Sequence, residues 1–380
     1  MNILTLSLNP RELCYNLFAE TAGRLVCQRQ GLIPADSADT ALALAPLAQA
    51  AQLIALEVKY GGSEFPAPVR VTPEVLRQLE QLAPRAPMHL PGVIALARAC
   101  DQFFPGIPVV LVFQTACFAQ LPAREAYYGI DPNLGDSLGI RRFGYNGLYH
   151  QAAVRHAANE LRRGGLAHPA RIISICLEPQ PELAAFLDRR PLMVTRGATP
   201  LEGLPGQTAC GEIDPSIVLI LREKLQWGPE QINQALTRKS GLLGLLGAPA
   251  RLDELFSDPN PSFELAREIV RYRLLNAAGA ALACLSGVDA LTFSGRYGNL
   301  GFGLGIAPEI RDAGILPAIS SAIQNPKSKI QNYIAPWLID RLTFKKAPRP
   351  QPIHLFTCAE TLPSLLAQAA LDHHRIMAAA

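Results

Sequence analysis

Two sets of three short apolar runs, each run separated from the next by a tight turn, constrain the fold of this 380-residue chain more than any other feature. Apolar and β-friendly runs of this length between turn residues are typical of an antiparallel strand meander. The layout repeats without sequence similarity, so we interpret it as an architectural repeat that predicts two lobes with a cleft between them. The predicted strands lie at 3–8, 13–18 and 24–28, and again at 171–177, 182–187 and 191–195.

The chain length also favours two domains, because one domain usually contains about 100–200 residues. We expect an N-terminal lobe at 1–150, with the last helix of the chain packed back on it, and a C-terminal lobe at 151–380. Residues 318–346 differ in composition and are expected to form an irregular insertion. Further strands are predicted at 109–113, 289–293 and 354–357, and helices at 72–82, 92–103, 148–163, 214–224, 229–237, 262–285 (with Ser262 as the N-cap) and 362–373.

Charge and composition exclude several classes of function. The 35 Lys and Arg residues against 32 Asp and Glu residues give a formal charge of +3, which disfavours nucleic acid or an anionic membrane as partner. The eight cysteines form no CxxC pair and no zinc-like spacing with histidine. The longest small-apolar run, 277–285, is far shorter than the ~20 residues of a membrane span. With no visible secretory signal, the sequence predicts a soluble cytoplasmic protein.

A glycine-dense turn follows the predicted strand at 289–293. Glycine lets backbone N–H groups approach a ligand closely, and a strand, a glycine-rich turn and a helix together often form a nucleotide site. Gly295, Gly298 and Asn299 are therefore the candidate residues on the nucleotide side.

Three motifs point to a family. Residues 141–150, Arg-Arg-Phe-Gly-Tyr-Asn-Gly-Leu-Tyr-His, resemble the acetate kinase segment Arg-Arg-Tyr-Gly-Phe-His-Gly-Thr-Ser-His. Residues 199–204, Thr-Pro-Leu-Glu-Gly-Leu, match another acetate kinase segment, and Gly-Glu-Ile-Asp-Pro at 211–215 resembles its Gly-Asp-Ile-Asp-Pro. The chain thus resembles the acetokinase family over nearly its whole length, apart from 318–346.

The resemblance implies an α/β chain with the two-domain actin-like ATPase fold of acetate and sugar kinases, which is ribonuclease H-like, and an interdomain cleft. It also implies a homodimer in which a nucleotide and a short-chain acyl substrate meet in that cleft. ATP and Mg²⁺ would be the cofactors if the chain is a kinase.

Both phosphate-binding turns depart from the family pattern. Where the family has Asn-x-Gly-Ser-Ser-Ser, residues 7–12 read Ser-Leu-Asn-Pro-Arg-Glu, and where it has His-Leu-Gly-Asn-Gly, residues 176–180 read Cys-Leu-Glu-Pro-Gln. Proline has no N–H to donate, and a carboxylate repels phosphate. The retained matches are mostly residues that shape the fold.

The catalytic positions are also substituted. The family's acyl-contacting Arg aligns with Glu57, and its Asp aligns with Gln114. Its first His aligns with Asn146, and another Arg aligns with Ala209. Of its metal-associated acidic pair, only Glu360 remains. Reversal of a unit charge about 4 Å from an anion is worth ~4 kcal/mol at an effective dielectric near 20, so an ionised Glu57 in place of the family's Arg would strongly penalise a bound carboxylate. The candidate cleft residues are Glu57, Gln114, Asn146, His150 and Glu360.

Structural alternatives accompany the site residues. His150 matches the last histidine of its segment and is a candidate cleft residue. The alternative is that His150 is a hydrogen-bonded residue at the N-terminus of a helix. Glu202 is expected to hold nearby backbone N–H groups rather than to act as a base. Because the family's catalytic positions are substituted, the sequence assigns no catalytic residue and no metal ligand.

Three hypotheses remain open. In the first, the chain has lost phosphotransfer and binds a small ligand or a protein partner. In the second, it is an enzyme with altered chemistry in a new polar cleft. In the third, it is an acetate or propionate kinase with an atypical site.

Overall fold

Two mixed β-sheets form the framework of the chain. The computed structural model describes residues 1–9, 12–34, 40–177, 180–258, 260–295 and 353–379, and it describes no side chains for 40–43 and 257. The predicted insertion at 318–346 and the turn residues Gly298 and Asn299 lie outside the described residues.

The first sheet has six strands in the order β3-β2-β1-β4-β6-β5. Strand β1 pairs antiparallel with β2 and parallel with β4, so the meander continues into a parallel part of the same sheet. The strands are β1 (Asn2–Leu8), β2 (Glu12–Thr21), β3 (Arg24–Pro34), β4 (Leu53–Val58), β5 (Val69–Arg70) and β6 (Val109–Phe113).

The second sheet repeats this arrangement with five strands in the order β11-β10-β7-β8-β9. Strand β7 takes the place of β1, pairing antiparallel with β8 and parallel with β10. Both predicted meanders are therefore confirmed, and they occupy equivalent places in their sheets. The strands are β7 (Arg171–Cys176), β8 (Glu182–Leu187), β9 (Arg190–Val194), β10 (Ala290–Ser294) and β11 (His354–Thr357).

Twelve helices, counted within the described residues, surround the two sheets. They are α1 (Thr40–Gln49), α2 (Pro73–Leu82), α3 (Leu90–Phe103), α4 (Ala123–Ala126), α5 (Pro132–Leu138), α6 (Gly147–Arg163), α7 (Ser216–Leu225), α8 (Pro229–Arg238), α9 (Gly241–Leu246), α10 (Leu252–Ser257), α11 (Glu264–Leu285) and α12 (Leu362–Ala379). None of them is long and apolar enough to span a membrane.

Helix α6 packs on both sheets and therefore connects them. Leu148 and Tyr149 at its start belong to the apolar cluster that also contains Ile3 of β1 and residues of α12. Further along, Ala157 and its neighbours pack with residues of β7 and β10. The expected boundary at residue 150 falls inside this helix, and we propose that the two lobes share it.

Several elements differ from the sequence prediction. Strand β4 was not predicted, nor were α1, β5 and the short helices α4, α5, α9 and α10. Ser262 is not the N-cap of the long helix, because a 3₁₀ turn at Pro261–Phe263 precedes α11. The side chain of Asn260 accepts the hydrogen bond from the backbone N–H of Ser262 instead. Proline at the first helical position suits this start, since its missing N–H would be unpaired there in any case.

The packing of α12 on the first sheet gives a stability prediction. Leu366 on α12 is fully buried in the cluster that contains β1 and β4 residues. We expect Leu366→Ala to lower the free energy of unfolding by about 2–5 kcal/mol, because it leaves a cavity against the sheet. Denaturant unfolding measures this, with Met377→Ala, on the exposed end of the same helix, as the control. Equal effects of the two variants would contradict the packing.

Candidate functional site

Glu57 lies near the carboxyl end of β4 and is only 2% exposed. Its carboxylate pairs with Lys59 Nζ at 2.5 Å. Burial alone would raise the pKa of Glu57, but Lys59, Gln114 and Ser7 outweigh burial and hold the pKa below its ordinary value. Glu57 is therefore an anion at neutral pH, with its charge balanced by a lysine two residues away.

Gln114 connects Glu57 to the start of α6. Its Nε2 donates to Glu57 Oε1 at 2.6 Å, and its Oε1 accepts from the backbone N–H of Leu148 at 3.2 Å. A Cβ atom on Gly147 would lie 2.0 Å from the carbonyl oxygen of Gln114, so only glycine fits at this contact. The end of β6 and the beginning of α6 are thus held together closely.

The carboxylate of Glu182, the first residue of β8, lies at the N-terminus of α6. Its Oε2 accepts from the backbone N–H of Tyr145 at 2.7 Å, and its Oε1 accepts from that of Asn146 at 3.0 Å. The N-terminus of a helix favours negative charge, because its first N–H groups have no partner within the helix. The side chain of Glu182 therefore fills an anion-binding position.

His150 and Arg196 complete the surroundings of Glu182. His150 Nε2 lies 3.1 Å from Glu182 Oε1, and its Nδ1 lies 2.8 Å from Ser174 Oγ. Arg196 Nε lies 3.9 Å from Glu182 Oε2. Within the described part of the chain, neither His150 Nε2 nor Arg196 Nε has a well-aligned hydrogen bond, and the Arg196 guanidinium contributes its positive charge to the surroundings of the carboxylate.

Opposing effects set the charge of this cluster. Burial raises the pKa of Glu182, but His150, Arg196 and the N–H of Tyr145 outweigh burial and keep it below its ordinary value. Burial lowers the pKa of Arg196, and Glu182 opposes this effect. A buried carboxylate with these partners is stable only while all of them remain in place.

Four of the five candidate cleft residues meet around the start of α6. Besides Glu57, Gln114 and His150, the side chain of Asn146 donates from Nδ2 to the carbonyl oxygen of Gln180 at 2.9 Å. Glu360 is exposed and makes no side-chain bond to the other four in the described part of the chain. Gly295 follows β10 with a φ of +73°, while Gly298 and Asn299 lie outside the described residues.

The sequence prediction missed Glu182, Arg196 and Lys59. The available signal for Glu182 was a carboxylate beginning an otherwise apolar strand, because charged residues are rarely buried unless they are paired. We expected Glu202 to hold nearby backbone N–H groups, and this expectation was wrong. Its carboxylate accepts from the Tyr128 hydroxyl and pairs with Arg142 at 2.7 Å, so among the described residues it binds side chains and not backbone N–H groups.

A cavity of about 700 Å³ opens beside Glu57, between the ends of β1 and β4 and helix α3. Apolar side chains form most of its wall, and Glu57, Lys59 and His89 lie at its polar end. Arg238, at the end of α8, also lines it. The cavity has the size of a small-molecule site, for which about 300–1,000 Å³ is usual.

The cluster at α6 does not suit a triphosphate with Mg²⁺. Among the described residues, the backbone N–H groups of Tyr145 and Asn146 are already occupied by Glu182, and Glu57 adds a second carboxylate. Mg²⁺ prefers a set of oxygen ligands. Within the described ranges, no group of three or more His, Cys, Asp and Glu side chains could hold a metal ion.

Comparison with known proteins shows the family. Residues 38–301 match the model of the acetokinase family. The chain belongs to the acetokinase family. It is 38% identical over 258 residues to the acetate kinase of Synechococcus sp. (strain JA-2-3B'a(2-13)), and 32% identical over 245 residues to that of Halothermothrix orenii. These segments cover 67% and 64% of this chain and only 63% and 61% of the two relatives.

Solved structures show the fold. The crystal structure of Porphyromonas gingivalis acetate kinase matches with a TM-score of 0.75 at 22% identity, covering 98% of this chain and 99% of that chain. A propionate kinase from Francisella tularensis gives the same score at 23% identity and the same coverage. The predicted α/β fold of the actin-like ATPases, shared by acetate kinases, is therefore confirmed.

The buried carboxylates predict how stability depends on pH. Because the folded-state pKa values of Glu57 and Glu182 lie below the ordinary value of 4.5, their stabilisation is complete well above pH 4.5 and is lost as pH falls through the lowered values. We expect Glu182→Gln to cost about 3–5 kcal/mol at pH 7, since it leaves buried partners without their carboxylate. The variant should also lose less stability in acid than the unmodified chain.

Denaturant unfolding between pH 7 and pH 3 measures both effects. Glu230→Gln, at an exposed position in the first turn of α8, is the matched control. An acid dependence that is the same for Glu182→Gln and the unmodified chain would show that Glu182 does not titrate as described.

Proposed function

We propose that this protein is a non-catalytic member of the acetokinase family that binds a small ligand or a protein partner. The single observation that carries the proposal is the Glu182 carboxylate at the N-terminus of α6, hydrogen-bonded to Tyr145 and Asn146 and next to His150. A side chain of the protein fills the place that would otherwise attract an anionic substrate.

The chemistry of phosphoryl transfer supports this proposal. Such transfer depends on N–H donors, cations and metal ions gathered around the migrating group. Removal of one such donor typically costs about 10²–10³-fold in rate. Here the donors at α6 bind Glu182, and the lysine nearest to the cavity wall binds Glu57. The substitutions therefore act together and leave little positive potential for a phosphoryl group.

The hypothesis of an altered enzyme has weaker support. Gln114 and Asn146 are 2% and 6% exposed, and His150 is fully buried. Their polar atoms bind one another or neighbouring backbone groups, which is the arrangement of a structural network. Of the five candidates, only Glu57 lines the large cavity.

A phosphotransfer assay tests the proposal directly. With Mg²⁺-ATP and acetate or propionate, we expect no acyl phosphate above background in a hydroxamate assay. The acetate kinase of Synechococcus sp. serves as the positive control. We also expect no rise in melting temperature with Mg²⁺-ATP, whereas a ligand at 100 times its dissociation constant would add about 2.7 kcal/mol of stability.

The opposite outcome is equally specific. Formation of acyl phosphate that requires ATP and disappears in Asn146→Ala would show that the chain is an atypical acetate or propionate kinase. A rise in melting temperature with Mg²⁺-ATP, without formation of acyl phosphate, would show that the chain binds nucleotide and has lost only the transfer step.

We further propose that the protein forms a homodimer, which the family resemblance implies, and that α7 forms the contact between the two copies. This helix has no buried residue, although most of its length is aliphatic. Leu219, Ile220 and Leu225 are each at least half exposed. Exposed aliphatic side chains around one helix are typical of an interaction site, and a two-fold contact would place the same helix on both copies.

Light scattering after gel filtration tests the dimer. We expect the unmodified chain to have twice the monomer mass and the double variant Leu219→Glu, Ile220→Lys to have the monomer mass, because charges on the apolar face oppose its burial. Met377→Glu, an exposed apolar position on α12, is the control and should remain dimeric. A monomeric unmodified chain would exclude the proposed dimer.

A further inference from the structure

A groove of about 280 Å³ lies between α6 and α12. It shares no lining residue with the cavity beside Glu57, so it is a separate site. On each helix the lining residues recur at intervals of three or four, which places them on one face of that helix. The apolar lining consists of Pro68 just before β5, Leu148 and Ala152 of α6, and Leu365, Ala369 and Ile376 of α12.

The deeper apolar side chains of the groove are fixed by the core. Leu148, Ala152 and Leu365 are at most 6% exposed and belong to the cluster that also contains residues of β1, β4 and β6. Ile376, in contrast, is 66% exposed. An apolar group seated in the groove would rest on fixed side chains and cover Ile376, and both contacts remove apolar area from water.

Two opposite charges line the groove without neutralising each other. Within the described ranges, Arg155 of α6 makes no ion pair and no side-chain hydrogen bond. Asp372 of α12 accepts from Gln368 Nε2 at 2.7 Å through Oδ1, which leaves its other carboxylate oxygen able to accept. Each charge lies two helical turns beyond an apolar residue of the groove, Arg155 beyond Leu148 and Asp372 beyond Leu365. A cation and an anion placed in this way suit a ligand that carries both charges.

We propose that this groove binds a free α-amino acid with a branched aliphatic side chain, such as leucine. Its carboxylate lies at Arg155, its ammonium group at Asp372 and its side chain on the apolar lining. The guanidinium group matches a carboxylate with two parallel N–H donors, and an ammonium group donates to a carboxylate oxygen. At about 30 Å³ per group of water size, 280 Å³ has room for about nine groups, as many as the non-hydrogen atoms of leucine.

Other classes of small ligand fit the groove less well. A nucleotide is much larger than this volume. An aliphatic acid would leave Asp372 without a cation, and an aliphatic amine would leave Arg155 without an anion. His373 also lines the groove, but burial and His374 lower its pKa, so this histidine is neutral at pH 7 and does not repel an ammonium group.

The position of the groove gives the ligand a structural effect. Helix α6 packs on both sheets, whereas α12 packs on the first sheet. An amino acid held by both helices would stabilise the packing of α12 on α6 and raise the melting temperature. The proposal goes beyond the non-catalytic function, because it concerns a different site and does not depend on the loss of phosphotransfer.

Titration calorimetry of the full chain with L-leucine at pH 7 tests the proposal. Three analogues, measured by displacement of L-leucine, each lack one part of it. 4-Methylpentanoate lacks the ammonium group, 3-methylbutylamine lacks the carboxylate, and glycine lacks the side chain. We expect L-leucine to bind at one site per chain and about tenfold or more tightly than each analogue, because both charged groups and the apolar side chain contribute. Absence of L-leucine binding, or equal affinity for L-leucine and 4-methylpentanoate, would overturn the proposal.

Charge variants locate the site. Arg155→Ala and Asp372→Asn should each weaken L-leucine binding about tenfold. Arg163→Ala and Glu160→Gln remove the same charges from an ion pair at the end of α6, outside the groove, and should leave the affinity unchanged. Asp372→Asn should also abolish the preference for L-leucine over 4-methylpentanoate, a change in selectivity that general destabilisation does not produce.

The outcome against the proposal is also defined. Affinity for L-leucine that neither Arg155→Ala nor Asp372→Asn changes would place the amino acid elsewhere and overturn the assignment. Failure of L-leucine to bind would leave the proposed loss of phosphotransfer standing. Formation of acyl phosphate from ATP would reject that loss and leave the amino acid site standing.

Discussion

The contact between the Glu182 carboxylate and the N-terminus of α6 is the interaction on which the arrangement of this chain depends. A buried carboxylate must find donors, and here two backbone N–H groups and the side chains of His150 and Arg196 surround it. Since β8 belongs to the second sheet and α6 packs on both sheets, this one carboxylate fixes the helix against the second sheet.

We propose that the same contact limits what the site can bind. Donors at a helix N-terminus stabilise whichever anion reaches them, and an internal carboxylate reaches them without the entropy cost that a free ligand pays on association. Glu57 and Lys59 repeat this logic at the end of β4, where a cation near the cavity is neutralised by a neighbouring side chain. We propose that selectivity against polyanionic ligands follows from these charges of the protein itself.

Sequence reasoning located the two meanders because apolar runs and turn residues are local signals, and the resemblance to the acetokinase family supplied the fold. The two meanders, β6 and the last strand were visible as short runs, and the family motifs identified Glu57, Gln114, Asn146 and His150. Strand β4 was missed, although its apolar run bears Glu57, because short apolar runs do not separate strand from helix. Glu182 was missed because its partner Asn146 lies 36 residues away, and only the folded chain brings them together.

The position of the Glu182 carboxylate at the N-terminus of α6 also affects how the fold is stabilised. In a nucleotide-dependent enzyme, binding of the ligand to the closed state supplies part of the free energy that brings two lobes together. In this chain the polar contacts at the start of α6 come from Glu182, the first residue of β8, and from Gln180 just before that strand, so these contacts do not require a ligand. The contacts at the start of α6 are therefore a property of the sequence.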